Sequence, residues 1–101
     1  MNAKEEMLYL LEGKKIKCAI VERFRGYGKK PKTIKLKNNH SKADLDKFLN
    51  KLDFEYDDGF GGQYLFGTVW FKDGTWADRG EYDGSEWWAV RETPKIPKKL
   101  K

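Results

Sequence analysis

The 101 residues are enough for one hydrophobic core and too few for a second, so the chain is expected to form a single domain. No apolar run approaches the roughly 20 residues of a membrane-spanning helix, no signal-peptide pattern is present and the single cysteine excludes an intramolecular disulfide, which together predict a cytoplasmic protein. The net charge of +5 conceals two halves of opposite sign, because residues 1–53 hold 14 basic and 7 acidic residues whereas residues 54–93 hold 3 and 9.

The first predicted elements are a helix and a two-stranded hairpin. Residues 2–12 are expected to be helical, since Asn2 can cap the first turn and apolar residues recur at helical spacing. Residues 14–25 then alternate as a strand with Cys18 on its buried face. A turn rich in glycine and proline leads to a second strand at 33–37, which predicts an antiparallel hairpin.

A second helix is predicted to begin at Ser41. The Ser41 hydroxyl can cap the free backbone amides, and Asp44, three residues later, can complete a capping box. The apolar stripe of this helix is expected to be buried. It consists of Leu45, Phe48, Leu49 and Leu52.

Residues 54–62 are interpreted as an acidic linker, and a β meander follows it. Asp73-Gly74 and Asp83-Gly84 are both typical hairpin-turn dipeptides. The three predicted strands cover residues 63–72, 75–82 and 85–92. Both faces of the first are apolar, so we expect a helix to cover one face and a partner or the N-terminal hairpin to cover the other.

This order of elements predicts an α+β fold, α-β-β-α-β-β-β, in a single domain over residues 1–93. The sheet is expected to be antiparallel, with the C-terminal meander packed by the second helix. Residues 94–101 contain two prolines and four lysines, and they are predicted to be a basic, flexible tail.

No residue pattern predicts an enzyme, a metal site or a bound cofactor. Gly61-Gly62-Gln63 matches the tripeptide of peptide release factors, but without the basic loop of that family it is interpreted as a flexible start to a strand. A catalytic set built on Arg79, Glu81 and His40 is an alternative that no spacing requires. The chain is therefore expected to work by binding.

The most distinctive stretch is the tryptophan-rich meander. Neighbouring residues of a strand point to opposite faces, so Trp87 and Trp88 cannot share one core layer. Either one indole is an exposed binding anchor, as Trp often is at interfaces, or both are covered in a two-sided core.

Residues 67–76 (GTVWFKDGTW), residues 79–88 (RGEYDGSEWW) and the trailing Pro94 and Ile96-Pro97 resemble small uncharacterised proteins of tailed bacteriophages and prophages. The resemblance implies a setting in which small proteins act stoichiometrically on host machinery, including defence systems. It carries no activity onto particular residues.

The first functional hypothesis is an accessory or inhibitor protein that docks an acidic aromatic sheet on the basic surface of a host protein. Acidic charge would steer the association and tryptophan would supply most of the affinity. The residues predicted to bind the partner are Trp76, Glu81, Tyr82, Asp83, Glu86, Trp87 and Trp88.

The alternative hypothesis is nucleic-acid binding by the basic N-terminal hairpin, with lysines on phosphates and with Tyr27, as well as Phe24, available to stack on bases. The residues predicted for this role are Lys17, Arg23, Arg25, Tyr27, Lys29, Lys30, Lys35 and Lys37. Under either hypothesis the chain is expected to be a monomer or a homodimer, with no membrane partner.

Overall fold

The computed structural model describes residues 1–57, 59 and 62–100, and it confirms the predicted α+β fold and order of elements. The helices are α1 (Ala3–Leu10) and α2 (Lys42–Lys51), and the strands are β1 (Ile16–Arg23), β2 (Lys32–Leu36), β3 (Leu65–Phe71), β4 (Trp76–Tyr82) and β5 (Ser85–Arg91). All strands join one antiparallel sheet in the order β2-β1-β3-β4-β5. The strands β2 and β5 are therefore its two edges.

Both helices begin at the capping residues that the sequence predicts. The Asn2 side chain accepts the Glu5 backbone N–H at 3.0 Å. At α2 the Ser41 hydroxyl accepts the Asp44 N–H and the Asp44 carboxylate accepts the Ser41 N–H, each at 3.1 Å. Hydrogen bonding with the backbone and the side chain of Ser41 lowers the pKa of Asp44 below its ordinary value. The predicted capping box is thus confirmed.

The core lies on one side of the sheet, which we call the helix face. Residues directly opposite each other on neighbouring strands point to the same side, and the register joins Ala19 to Val69 and Val69 to Ala77, all of them buried. The buried apolar cluster consists of Ala3, Met7, Ile16, Ala19, Val21, Ile34, Leu36, Phe48, Leu49, Leu52, Leu65, Val69, Phe71 and Ala77. Because α1 and α2 both contribute to it, both helices cover this face.

The other side of the sheet we call the open face. By register its residues are Cys18, Ile20, Glu22, Thr33, Lys35, Phe66, Thr68, Trp70, Trp76, Asp78, Gly80, Tyr82, Ser85, Trp87, Ala89 and Arg91. None of these residues is buried. The N-terminal hairpin joins the edge of the sheet instead of covering this face, so no helix or strand within the described residues covers it.

The prediction for Cys18 was wrong, because β1 does not alternate evenly. A bulge shifts the register between Ile16 and Cys18, which turns Ile16 to the helix face together with Ala19 and Val21. Cys18 therefore lies on the open face opposite Trp70 and is partly exposed. Apolar residues on both sides of the bulge concealed this change of face in the sequence.

The segment that follows β5 lies at the surface of the molecule. Residues 92–100 are all exposed, and Lys98–Leu100 form one 3₁₀ turn. Lys101 and part of the predicted linker lie outside the described residues, and the interpretation of Gly61-Gly62-Gln63 falls partly there. Among the described helices, none has the length and apolar character needed to cross a membrane.

Candidate functional site

A row of aromatic side chains runs along the middle of the open face. Tyr64, Phe66 and Trp70 share one side of β3 and its approach, since alternate residues of a strand share a face. Phe66 is 44% exposed and Trp70 is 41% exposed, which is high for large apolar side chains. The row is therefore accessible to a flat ligand.

Neighbouring strands extend the row at both ends. Phe24 follows β1, and its ring centroid lies 6.4 Å from that of Tyr64 and 5.6 Å from that of the almost fully exposed Tyr27. At the other end Trp76 stands directly opposite Trp70. We call this set the aromatic track. It consists of Tyr27, Phe24, Tyr64, Phe66, Trp70 and Trp76.

The two adjacent tryptophans take different environments. Trp87 lies on the open face, 43% exposed, with its indole over Gly80, where an added Cβ would come within 2.6 Å of the ring. Trp88 lies half-buried on the helix face, 4.9 Å from the Arg79 guanidinium. Of the two alternatives open from the sequence, the structure favours one exposed indole, and that indole is Trp87.

The β2 side of the sheet is strongly basic. Five exposed lysines, which we call the lysine edge, lie on β2 and its flanks. They are Lys29, Lys30, Lys32, Lys35 and Lys37. The backbone of β2 lies two strand spacings, about 10 Å, from that of β3. By register Lys35 is on the open face, whereas Lys32, opposite Arg23, is on the helix face.

The structure brings together most, but not all, of the residues predicted to bind nucleic acid. Lys17 is exposed within the bulge of β1, and the Arg25 Nε donates to the Lys30 carbonyl at 3.0 Å, beside the lysine edge. Arg23 points to the helix face, where its guanidinium lies 3.8 Å from the centre of the Phe54 ring. Arg23 therefore does not lie with the other residues predicted to bind nucleic acid.

The residues predicted to form an acidic docking surface are not brought together in the same way. Glu86 is only 3% exposed, and its carboxylate accepts the N–H groups of Tyr64 at 2.7 Å and Leu65 at 3.1 Å. Glu81 accepts the Gly84 N–H at 3.0 Å, and Asp83 occupies the β4–β5 turn. Burial removes Glu86 from the predicted surface.

Most other acids of the second half are also engaged within the protein. Asp78 pairs with Arg91 at 2.7 Å, Asp73 pairs with Lys14 at 3.1 Å, and Asp57 accepts the Gly59 N–H. Hydrogen bonds from the Thr75 hydroxyl and amide, with Lys14, lower the pKa of Asp73 to about 2. The negative charge of residues 54–93 is therefore not displayed as one open patch.

Beneath the sheet, Arg79 organises a buried ionic cluster that joins three parts of the chain. Its side chain is 2% exposed and pairs with Glu86 at 2.5 Å and with Glu6 of α1 at 3.1 Å. The Arg79 guanidinium also donates to the Tyr56 hydroxyl at 3.1 Å, and that hydroxyl donates to Glu6. The cluster fastens α1 and the segment around Tyr56 to β4 and β5.

The environment of this cluster shifts the pKa values of two members. Burial and the hydrogen bond to Glu6 raise the pKa of Tyr56 well above its ordinary value. Burial alone would lower the pKa of Arg79, but the charge of Glu6 and the contacts with Tyr56 and Glu86 raise it. Arg79 therefore stays charged and Tyr56 stays neutral.

A catalytic set of Arg79, Glu81 and His40 is not assembled, because each bonds different partners.

The open face combines exposed π-surfaces with an adjacent row of cations, which suits ligands that stack and carry negative charge. The sequence predictions name Phe24 as a residue that could stack on a base, but they missed three members of the track as site residues: Tyr64, Phe66 and Trp70. The alternation of β3 contained the signal for these three, because it set them opposite the residues that pack on a helix.

Comparisons with known proteins add no relative. No protein-family model, no curated protein and no solved structure matches the chain.

Proposed function

We propose that the protein is a binding protein that holds single-stranded nucleic acid on the open face of its sheet. The observation that carries the proposal is the exposed aromatic track lying beside the lysine edge. Each base stacked on an aromatic side chain contributes about 1–3 kcal/mol, and lysines neutralise the phosphates that flank the bases. Because no helix or strand within the described residues covers this face, bases can reach the exposed rings.

The distribution of charge favours a nucleic acid as the ligand. It disfavours the ligand of the first sequence hypothesis, a host protein with a basic surface. Glu86 is buried, and five other acids of residues 54–93 are engaged in ion pairs or backbone hydrogen bonds, namely Glu55, Asp57, Asp73, Asp78 and Glu81. The charged residues of the open face are Glu22, opposite Phe66, Lys35 on β2, and the mutually paired Asp78 and Arg91. An acidic docking surface would need the carboxylates of residues 54–93 turned outward, whereas a polyanion needs only the cations.

The first test compares two aromatic truncations by fluorescence anisotropy with labelled 5-nucleotide DNA and RNA, which can occupy only a single open face. Trp70→Ala, on the track, is expected to weaken binding on the order of 10-fold, the loss of one stacked base. Tyr9→Ala, which removes an 81% exposed ring on α1, is the matched control and should leave affinity unchanged. Urea unfolding of both variants separates lost contacts from lost folding. Equal affinity of the two folded variants would contradict the proposal.

The second test concerns charge. Lys35→Gln, on the lysine edge, should reduce the slope of log affinity against log salt by about 0.7, since single strands release about that many counterions per phosphate contact. Lys47→Gln on the exposed side of α2 is the control of equal charge and should leave the slope unchanged. A slope that responds identically to both substitutions would point to unspecific attraction by the net charge.

A second candidate is binding of a protein partner at the tip of the β4–β5 hairpin. Tyr82 is 77% exposed there, next to the exposed Glu81 and Asp83, and Trp87 lies three residues beyond the turn residue Gly84. This arrangement retains the acidic aromatic character of the first hypothesis, including the expected host protein with a basic surface. Loss of a nuclease-resistant interaction in a Trp87→Ala pull-down, with nucleic-acid affinity unchanged, would support this candidate.

A further inference from the structure

The two edges of the sheet differ in how they are protected against pairing with another strand. The edge strand β2 follows Pro31 and carries Lys32 and Lys35, both of which discourage strand addition. The edge strand β5 has seven residues, no proline, no lysine and no bulge in its register with β4. Its two charged side chains are already bound, Glu86 to Arg79 and Arg91 to Asp78.

The hairpin turn fixes which backbone groups of β5 point outward. Asp83 and Gly84 have φ values of +51° and +86°, which indicates a type I′ turn closed by a hydrogen bond between Tyr82 and Ser85. Bonded and non-bonded pairs alternate along an antiparallel ladder, so every second residue of β5 turns its N–H and C=O away from β4. These residues are Glu86, Trp88 and Val90.

Apolar side chains flank this edge on both sides. On the open face lie Trp87 and Ala89. On the helix face Trp88 and the 52% exposed Val90 line a cleft of about 360 Å³ whose other wall includes Tyr9 of α1. A strand added to β5 would therefore bury alternate side chains against Trp87 and in the cleft.

We propose that β5 pairs antiparallel with β5 of a second copy, which joins the two sheets into one of ten strands. The strand is complementary to itself, as a two-fold contact requires. With Ala89 at the two-fold axis, Arg91 of one copy stands opposite Trp87 of the other, and Trp88 stands opposite Val90. Within Ser85–Arg91 no like charges face each other. Just beyond the strand, Glu92 stands opposite Glu86 of the other copy, whose carboxylate is turned inward and paired with Arg79. The outward backbone groups of Trp88 and Val90 gain partners.

The test is the concentration dependence of molar mass, measured by sedimentation equilibrium. The wild-type protein is expected to pass from monomer to dimer as its concentration rises from the micromolar to the millimolar range. Val90→Lys places on β5 a positive charge of the kind that discourages strand addition at β2. This substitution should raise the dimer dissociation constant at least about tenfold. Leu8→Lys, at a 46% exposed position of α1, is the matched control and should leave the dissociation constant unchanged.

A second variant separates backbone pairing from side-chain packing. Val90→Pro removes an N–H that points away from β4, so it should abolish the dimer while the monomer keeps its sheet by circular dichroism. A wild-type protein that stays monomeric across the whole range overturns the proposal, and so does a dimer that Leu8→Lys weakens as much as Val90→Lys. Binding of short oligonucleotides by a single open face is unaffected by either outcome.

Discussion

At the residue scale the feature with the largest expected energetic effect is the buried pair between Arg79 and Glu86. Both side chains are almost completely removed from solvent, so the Glu86 carboxylate depends on Arg79 for compensation, whereas Arg79 is also paired with Glu6. Glu86 also bonds two backbone N–H groups at the start of β3. The pair therefore supports the open face from below.

Glu86→Ala is expected to lower the free energy of unfolding by about 3–5 kcal/mol, because it removes one of the two carboxylates paired with the buried Arg79 guanidinium and leaves the Tyr64 and Leu65 N–H groups without their acceptor. Urea denaturation followed by tryptophan fluorescence measures the loss. Glu22→Ala removes an exposed carboxylate from the open face and should change stability by less than about 0.5 kcal/mol. Similar small effects of both substitutions would mean that the cluster contributes no stability.

Sequence reasoning could have found part of this cluster. The alternation of β4 places Ala77 and Arg79 on the same face, so an expected burial of Ala77 implies a buried Arg79 in need of an acid. The sequence could not identify the partners of Arg79 from outside β4 and β5. These partners, Glu6 and Tyr56, come from segments whose position relative to the sheet depends on tertiary packing. Glu86 was assigned to the surface because its neighbours in the chain are polar or aromatic.

At the element scale the predictions that succeeded rest on local chemistry. The capping box at Ser41 and the Asp-Gly turns of the meander fix their elements within a few residues of chain. The bulge before Cys18 lies beyond such reasoning, because it depends on how β1 fits the register of β3. Faces of a strand can be predicted only as far as its alternation is unbroken.

Strand β3 requires a glycine at position 67, and the reason is visible only in the three-dimensional structure. Gly67 has a φ of +146°, and an added Cβ would lie 2.1 Å from the Ile20 carbonyl oxygen of β1. Backbone cannot withdraw from such a clash without breaking the ladder between β1 and β3. At Gly80 the nearest group is the Trp87 indole, which can rotate away.

Gly67→Ala is therefore expected to be the more damaging substitution, with a loss of about 3 kcal/mol or more in the free energy of unfolding, against about 1–2 kcal/mol for Gly80→Ala. Gly62→Ala, with open space around it, should be close to neutral. Thermal and urea unfolding of the three variants test this order. A reversed order of Gly67→Ala and Gly80→Ala would show that β3 relaxes more easily than β5.

At the scale of the whole molecule, the proposed β5 contact and the proposed binding face depend on the same sheet. An antiparallel pairing has its two-fold axis perpendicular to the sheet, so both open faces would lie on the same side of the dimer. Five strand spacings, about 24 Å, would separate the two β3 strands. At a rise of about 3.4 Å per nucleotide, roughly seven nucleotides bridge that distance.

Oligonucleotide length should therefore decide whether one face or two can be occupied by the same strand. A 20-nucleotide strand can reach both aromatic tracks of a dimer, and its second contact is made at high effective concentration, whereas a 5-nucleotide strand reaches only one. We expect the wild-type protein to favour the longer strand by at least about 10-fold more than the monomeric Val90→Lys variant does. Anisotropy titrations of both proteins with both lengths measure this ratio. If Val90→Lys keeps the full preference for length, the two tracks act independently, and the gain of the longer strand comes only from its larger number of phosphates.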